Sequence, residues 1–207
     1  MNDVRLAGIS KTAVAIAVAV VATMTAIGWT FRKKPWISSN EVSAVGRLRA
    51  HAAAQEDFKS SAKGDADGDR IGEYGFFADL GGAWEEGLER GILKRSGYFT
   101  RIFLPGATAP PLREHSTLPA RGPDCANNQE VRWIAYAWPE SEGWTGRRCF
   151  AINQEGMIYQ APNAPPYDGE DGPCSGNEAY ADPSGNLDGS IVSSGDPSSD
   201  GQVWTPS

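Results

Sequence analysis

Three aspartates at alternate positions, Asp65, Asp67 and Asp69, stand in the segment KGDADGDRIGEYGFFADLGG. Carboxylates at positions 1, 3 and 5 of a short loop can converge on one hard cation, as in a calcium loop, with Glu73 as a further ligand. The segment departs from that loop at its sixth position, Arg70, where glycine ordinarily makes the sharp turn. It departs again at the twelfth, Phe76, where a bidentate Glu would close the shell. The other reading is a turn in which Asp and Gly accept tight backbone geometry and cap the next element of the chain. Calcium is the only cofactor the residues suggest.

Cys125, Cys149 and Cys174 have no metal-like spacing. In an oxidising compartment, one disulfide plus one odd thiol is the natural count. Cys149 sits in a strand-like run and Cys125 in a loop before its partner strand, which favours a Cys125–Cys149 pair. Three reduced thiols, or a pairing of Cys174, are the alternatives. His51 and His115 are the only histidines. No G-x-S-x-G elbow, phosphate-cradling glycine loop or H-E-x-x-H is present, and CANNQ, RRCFA and GPCSG match no cysteine-protease signature. The reading is a non-enzyme.

These residues are spread over a chain of 207 residues that divides by composition. After a short segment, residues 1–11, the run TAVAIAVAVVATMTAIGWTF from Thr12 to Phe31 carries no charge. At about 1.5 Å per residue it would span about 30 Å, the hydrocarbon thickness of a bilayer. The expectation is a transmembrane helix with the lipid bilayer as its partner, a linker at 32–38, a soluble domain at 39–161 and a tail at 162–207. The cysteines and the long carboxyl-terminal body favour placing that body outside. The tail holds Asp168, Glu170, Asp171, Glu178, Asp182, Asp188, Asp196 and Asp200 and no Lys or Arg. With few apolar residues it reads as largely disordered. The rest is close to neutral, so nucleic acid is not an expected partner.

Ser38 and Glu41 form the pattern of a capping box, which predicts a helix from about Ser39 to Phe58. Val42, Val45, Leu48, Ala52 and Phe58 predict its buried stripe, and His51 is expected to be exposed or half-buried. GYFTRIFLPG, VRWIAYAWP and RRCFAINQEGMIYQ predict an antiparallel meander of three or four strands, one face of which the helix would cover.

The order of these parts resembles the bacterial type IV pilin and pseudopilin superfamily. The similarity is carried by Asn40, Glu41, Ser43, Ala44, Leu48 and Arg49 on the helix, and by Thr145, Gly146, Arg148, Phe150, Gly156 and Ile158 on the hairpin. It covers about residues 12–160. The chain lacks the usual prepilin Glu: if Gly8 ends a leader, the fifth position is Ala13. The resemblance implies an α+β, pilin-like fold in which an amino-terminal membrane helix continues or kinks into an amphipathic helix packed on a small antiparallel sheet. It further implies a structural or assembly component of a pilus-like or secretion system. Other pilin-like subunits or envelope proteins would be its partners, and the body would lie on the periplasmic or extracellular side of the inner membrane. The second expectation is an exported, membrane-tethered module that binds a ligand or a protein.

Overall fold

The computed structural model describes residues 11–84, 86–115, 119, 121–163, 167, 169–170, 172–182, 185–193 and 195–207, with side chains from Trp36 onward. The chain divides into two compact units, Met1–Trp36 and Ile37–Ser207. Helix α1 is Lys11–Ser60 and includes residues 32–38, expected as a linker. The side chains of Thr12–Phe31 lie outside the described residues. Among the described residues no helix is long and apolar enough to cross a membrane. That corrects the expected localisation as a single-pass inner-membrane protein with an external domain. From Trp36 onward, Glu41, Arg47, Arg49, Glu56, Asp57 and Lys59 interrupt any apolar run on α1.

The second unit is α+β. Its strands are β1 (Leu88–Glu89), β2 (Ile92–Arg95), β3 (Tyr98–Leu104), β4 (Leu112–Arg113), β5 (Ile134–Pro139), β6 (Arg148–Asn153), β7 (Ile158–Pro162) and β8 (Thr205–Pro206). They form one antiparallel sheet in the order β1-β2-β3-β5-β6-β7-β8, with β4 also paired to β3. Short helix α2 (Phe77–Leu80) lies between α1 and β1, and short helix α3 (Pro123–Gln129) between β4 and β5.

One face of the sheet presents Tyr98, Ile102, Leu104, Ala135, Ala137, Phe150, Ile152 and Ile158 to Ala44 and Leu48 of α1. The helix contacts through Ile37, Glu41, Ala44, Leu48, His51 and Gln55, all buried and spaced alternately by four and three residues. That seam is rotated from the expected stripe: Val42 is 70% exposed. Three of the six seam positions are polar, so a search for apolar periodicity settles on the neighbouring row. Ser38 lies inside α1 rather than capping it.

The opposite face presents Phe99, Phe103, Ile134, Tyr136, Trp138, Cys149, Ala151 and Tyr159, and the carboxyl-terminal segment covers it with Tyr167, Ala179, Tyr180, Leu187, Ile191 and Trp204. The expectation of a disordered tail is therefore wrong for its described residues. Trp204, the one tryptophan of that segment, is 0% exposed. The segment has almost no regular secondary structure, and side chains satisfy its backbone instead. Glu178 accepts the N–H groups of Cys174 and Ser175 at 2.6 and 2.7 Å. Asn186 exchanges two hydrogen bonds with the backbone of Gly106, at 2.9 and 2.7 Å. The Tyr136 hydroxyl donates to the Gly176 carbonyl and accepts from the Ala179 N–H. Gly172 is required where the segment crosses Trp138, because a Cβ there would meet the indole at 2.0 Å. The Asn, Asp, Glu and Ser residues that make the composition look unfoldable include the acceptors and donors that hold these turns.

Candidate functional site

Two constellations bring together residues distant in sequence. In the first, Asn40 Nδ2 donates to the Thr145 carbonyl at 2.9 Å. The neighbouring Glu41 carboxylate is buried, accepts the Arg147 N–H at 3.0 Å through Oε1, and takes Arg148 Nε and Nη2 at 3.1 and 2.6 Å on Oε2. Tyr98 locks the same corner by donating its hydroxyl to the Arg148 carbonyl at 2.8 Å. Gly146 makes room for that ring, since a Cβ would sit 2.1 Å from the hydroxyl oxygen. The Arg148 guanidinium also lies 5.4 Å over the Phe150 ring. Charge-assisted, two-pronged hydrogen bonding of this kind fixes angle as well as distance. Chemically the constellation is a joint between α1 and the β5–β6 hairpin.

The second constellation is the acidic loop just beyond the end of α1. Asp65, Asp67 and Glu73 each place a carboxylate oxygen within 4.8 Å of the others, and so do Asp67, Asp69 and Glu130. Asp65 accepts the N–H groups of Gly68 and Arg70 at 2.7 and 3.1 Å, and Asp69 accepts that of Ile71 at 2.7 Å. Arg70, the residue that seemed to spoil the sixth position, has φ 75°. It thus adopts the left-handed conformation glycine would otherwise supply. The loop is stitched to its surroundings by Glu73 N–H to the Gly64 carbonyl at 2.8 Å and Tyr74 N–H to the Gln129 carbonyl at 2.9 Å. Gln55, buried on α1, clamps the Gly75 peptide by donating to its carbonyl at 2.6 Å and accepting its N–H at 2.8 Å.

The three loop aspartates named from the sequence fall into two groups that share Asp67, Asp65 lying with Glu73 and Asp69 with Glu130. Glu130 is the residue that sequence reasoning misses, because it arrives from the end of α3. The only local signal is an acid at a helix carboxyl end, where the backbone dipole disfavours it. Burial first, and then Asp69, Asp67 and Glu73, push its carboxyl up from the usual range.

The expected Cys125–Cys149 disulfide is not formed: both are buried free thiols, and Cys174 is an exposed one. Cys149 lies on the covered sheet face beside Ala161, and burial pushes its thiol up. Cys125 belongs to α3, which enters neither core cluster at that residue.

His51 is fully buried rather than exposed. Its ring lies 4.0 Å from that of Trp84 and 4.9 Å from that of Phe77, and neither ring nitrogen has a hydrogen-bond partner. Burial, with a smaller push from Arg47, lowers its pKa from 6.5 to about 3. Unfolded chains therefore bind a proton here that folded ones exclude, so this residue's contribution weakens as pH falls from 6.5 toward 3. Nearby Glu114, pushed up to about 6 chiefly by burial, works in the opposite sense between 4.5 and 6. The stability of His51→Leu relative to the parent is expected to rise as pH is lowered, by up to about 1.4 kcal/mol per unit. Urea midpoints from pH 7 to 3 measure it, and a difference that stays flat refutes it.

Comparison with protein-family models, with curated proteins and with solved structures finds no match to this chain.

Proposed function

We propose that this chain is a pilin- or pseudopilin-like, non-enzymatic subunit that serves as a structural or assembly component of a bacterial pilus-like or secretion system. The observation that carries the reading is the joint between α1 and the hairpin. Asn40 and Glu41, two of the helix residues that carry the family resemblance, bind Thr145 and Arg148, two of those that carry it on the hairpin. A second support is the order of elements, a long helix whose Ile37–Gln55 seam lies on an antiparallel sheet. Such a joint fixes the helix to the hairpin, which suits a subunit whose helix and sheet act as one structural piece.

Crosslinking in the native host, followed by purification of the tagged full chain, tests the reading. Higher-order species containing further copies or other pilin-like subunits are expected. A chain recovered only as a monomer, with saturable binding of a ligand, overturns the assembly role and makes it a binding module.

A further inference from the structure

The acidic loop contains one group that its own hydrogen bonding does not explain. Glu130 is 7% exposed, and its Oε1 has no hydrogen-bond partner. A buried, unpartnered carboxylate oxygen is costly, and it normally indicates a missing partner. The Glu130 carboxylate lies in a triad with Asp67 and Asp69, while Asp67 also belongs to the triad with Asp65 and Glu73. Those neighbours are acidic, so none of them can donate a hydrogen bond to it while ionised.

We infer that Asp67, Asp69 and Glu130 hold one calcium ion, with Glu130 of the α3 end supplying from outside the loop the carboxylate that Phe76 cannot, and with Asp65 and Glu73 grouped around the same Asp67. The donor set is all carboxylate oxygen, with no His or Cys, which selects a hard cation. Calcium holds oxygens at about 2.3–2.6 Å, so opposed ligands lie up to about 5 Å apart, and it tolerates irregular shells. Magnesium, at about 2.0–2.1 Å, spans only about 4 Å and demands an octahedron. Carboxylate oxygens gathered within 4.8 Å of one another are compatible with a calcium shell, which needs no ideal octahedron. Arg70 at φ 75° makes the sharp turn of a calcium loop, and Gly68 at φ 80° accompanies it. The ion would bind the segment after α1 to α3, reinforcing the Tyr74–Gln129 backbone hydrogen bond.

Calorimetric titration and thermal melts of the full chain, stripped with chelator and then given calcium chloride, test this. Binding of one ion per chain in the sub-millimolar to millimolar range is expected. At about 10 mM calcium the melting temperature should rise by about 3–10 °C. Glu130→Gln should melt no lower than the parent without calcium, because like-charge repulsion is relieved, and should weaken calcium binding about tenfold or more. Asp67→Asn, which removes a ligand shared by both triads, should abolish it. Absence of any calcium-dependent shift at about 10 mM overturns the site. An equal response to magnesium overturns the choice of ion. Wild-type affinity in Glu130→Gln, with Asp67→Asn inactive, overturns the role of Glu130.

Discussion

Replacing Trp204 by alanine is expected to destabilise the Ile37–Ser207 unit by about 3–5 kcal/mol, the cost of emptying a large apolar side chain from a packed interior. The indole is fully buried, its ring 5.8 Å from that of Tyr136 in an edge-to-face arrangement, among Trp138, Tyr159, Tyr167 and Tyr180. It is also next to Thr205 of β8, which pairs with Gln160 and closes the sheet edge. For a domain of this size the loss corresponds to a fall in melting temperature of about 6–20 °C. Val203, its neighbour, is 40% exposed, so Val203→Ala should change stability by no more than about 0.5 kcal/mol. Urea unfolding of the two variants separates a structured carboxyl-terminal cover from a loose one. If the cover were loose, both substitutions would be silent.

Leu48→Asp is expected to cost more. Leu48 is fully buried at the centre of the helix seam, in the cluster that includes Tyr98, Ile102, Ala135, Ala137 and Phe150. The substitution forfeits about 1.5–3 kcal/mol of apolar burial. It also leaves a carboxylate without a partner, at several kcal/mol, or forces it to take a proton. Together these approach the whole stability of an ordinary domain, about 5–15 kcal/mol. A buried aspartate has a raised folded-state pKa, so the variant keeps most stability at low pH and loses it as pH rises through that value. Leu48→Ala, costing about 2–5 kcal/mol, should lack this added dependence. Val42→Asp, on the exposed row, should be near neutral. Circular dichroism melts at pH 4 and 7 distinguish the three. Equal damage at Val42 and Leu48 would show that the seam is misassigned.

Such substitutions probe the points where sequence and structure part. VRWIAYAWP does not alternate, and a continuous apolar run is the mark of a strand buried on both faces. Its residues sort by size once folded: Ala135 and Ala137 lie under the helix, while Ile134, Tyr136 and Trp138 face the carboxyl-terminal segment. The run therefore already implied a second cover, whereas composition alone makes the polar segment that supplies it look disordered. Composition counts how much can be buried, but it does not register hydrogen bonds that make Asn186, Glu178 and Asp200 into turn supports.

Legible along the chain were the α+β order, the strand runs after Gly97, the helix that Leu48 helps to seat, and an acidic turn at Asp65, Asp67 and Asp69. These depend on periodicity and on spacings of a few residues, which the backbone's local geometry enforces. Tertiary structure alone decided that the seam runs through Glu41, His51 and Gln55, that Glu41 answers Arg148 rather than Ser38, and that Glu130 joins the acidic loop. Glu41 and Gln55 are polar side chains buried with partners remote in sequence: 107 residues separate Glu41 from Arg148 and 20 separate Gln55 from Gly75. A polar residue is stable in an interior only once such a partner is in place, and chain closure over that distance is set by the sheet, not by neighbours along the chain.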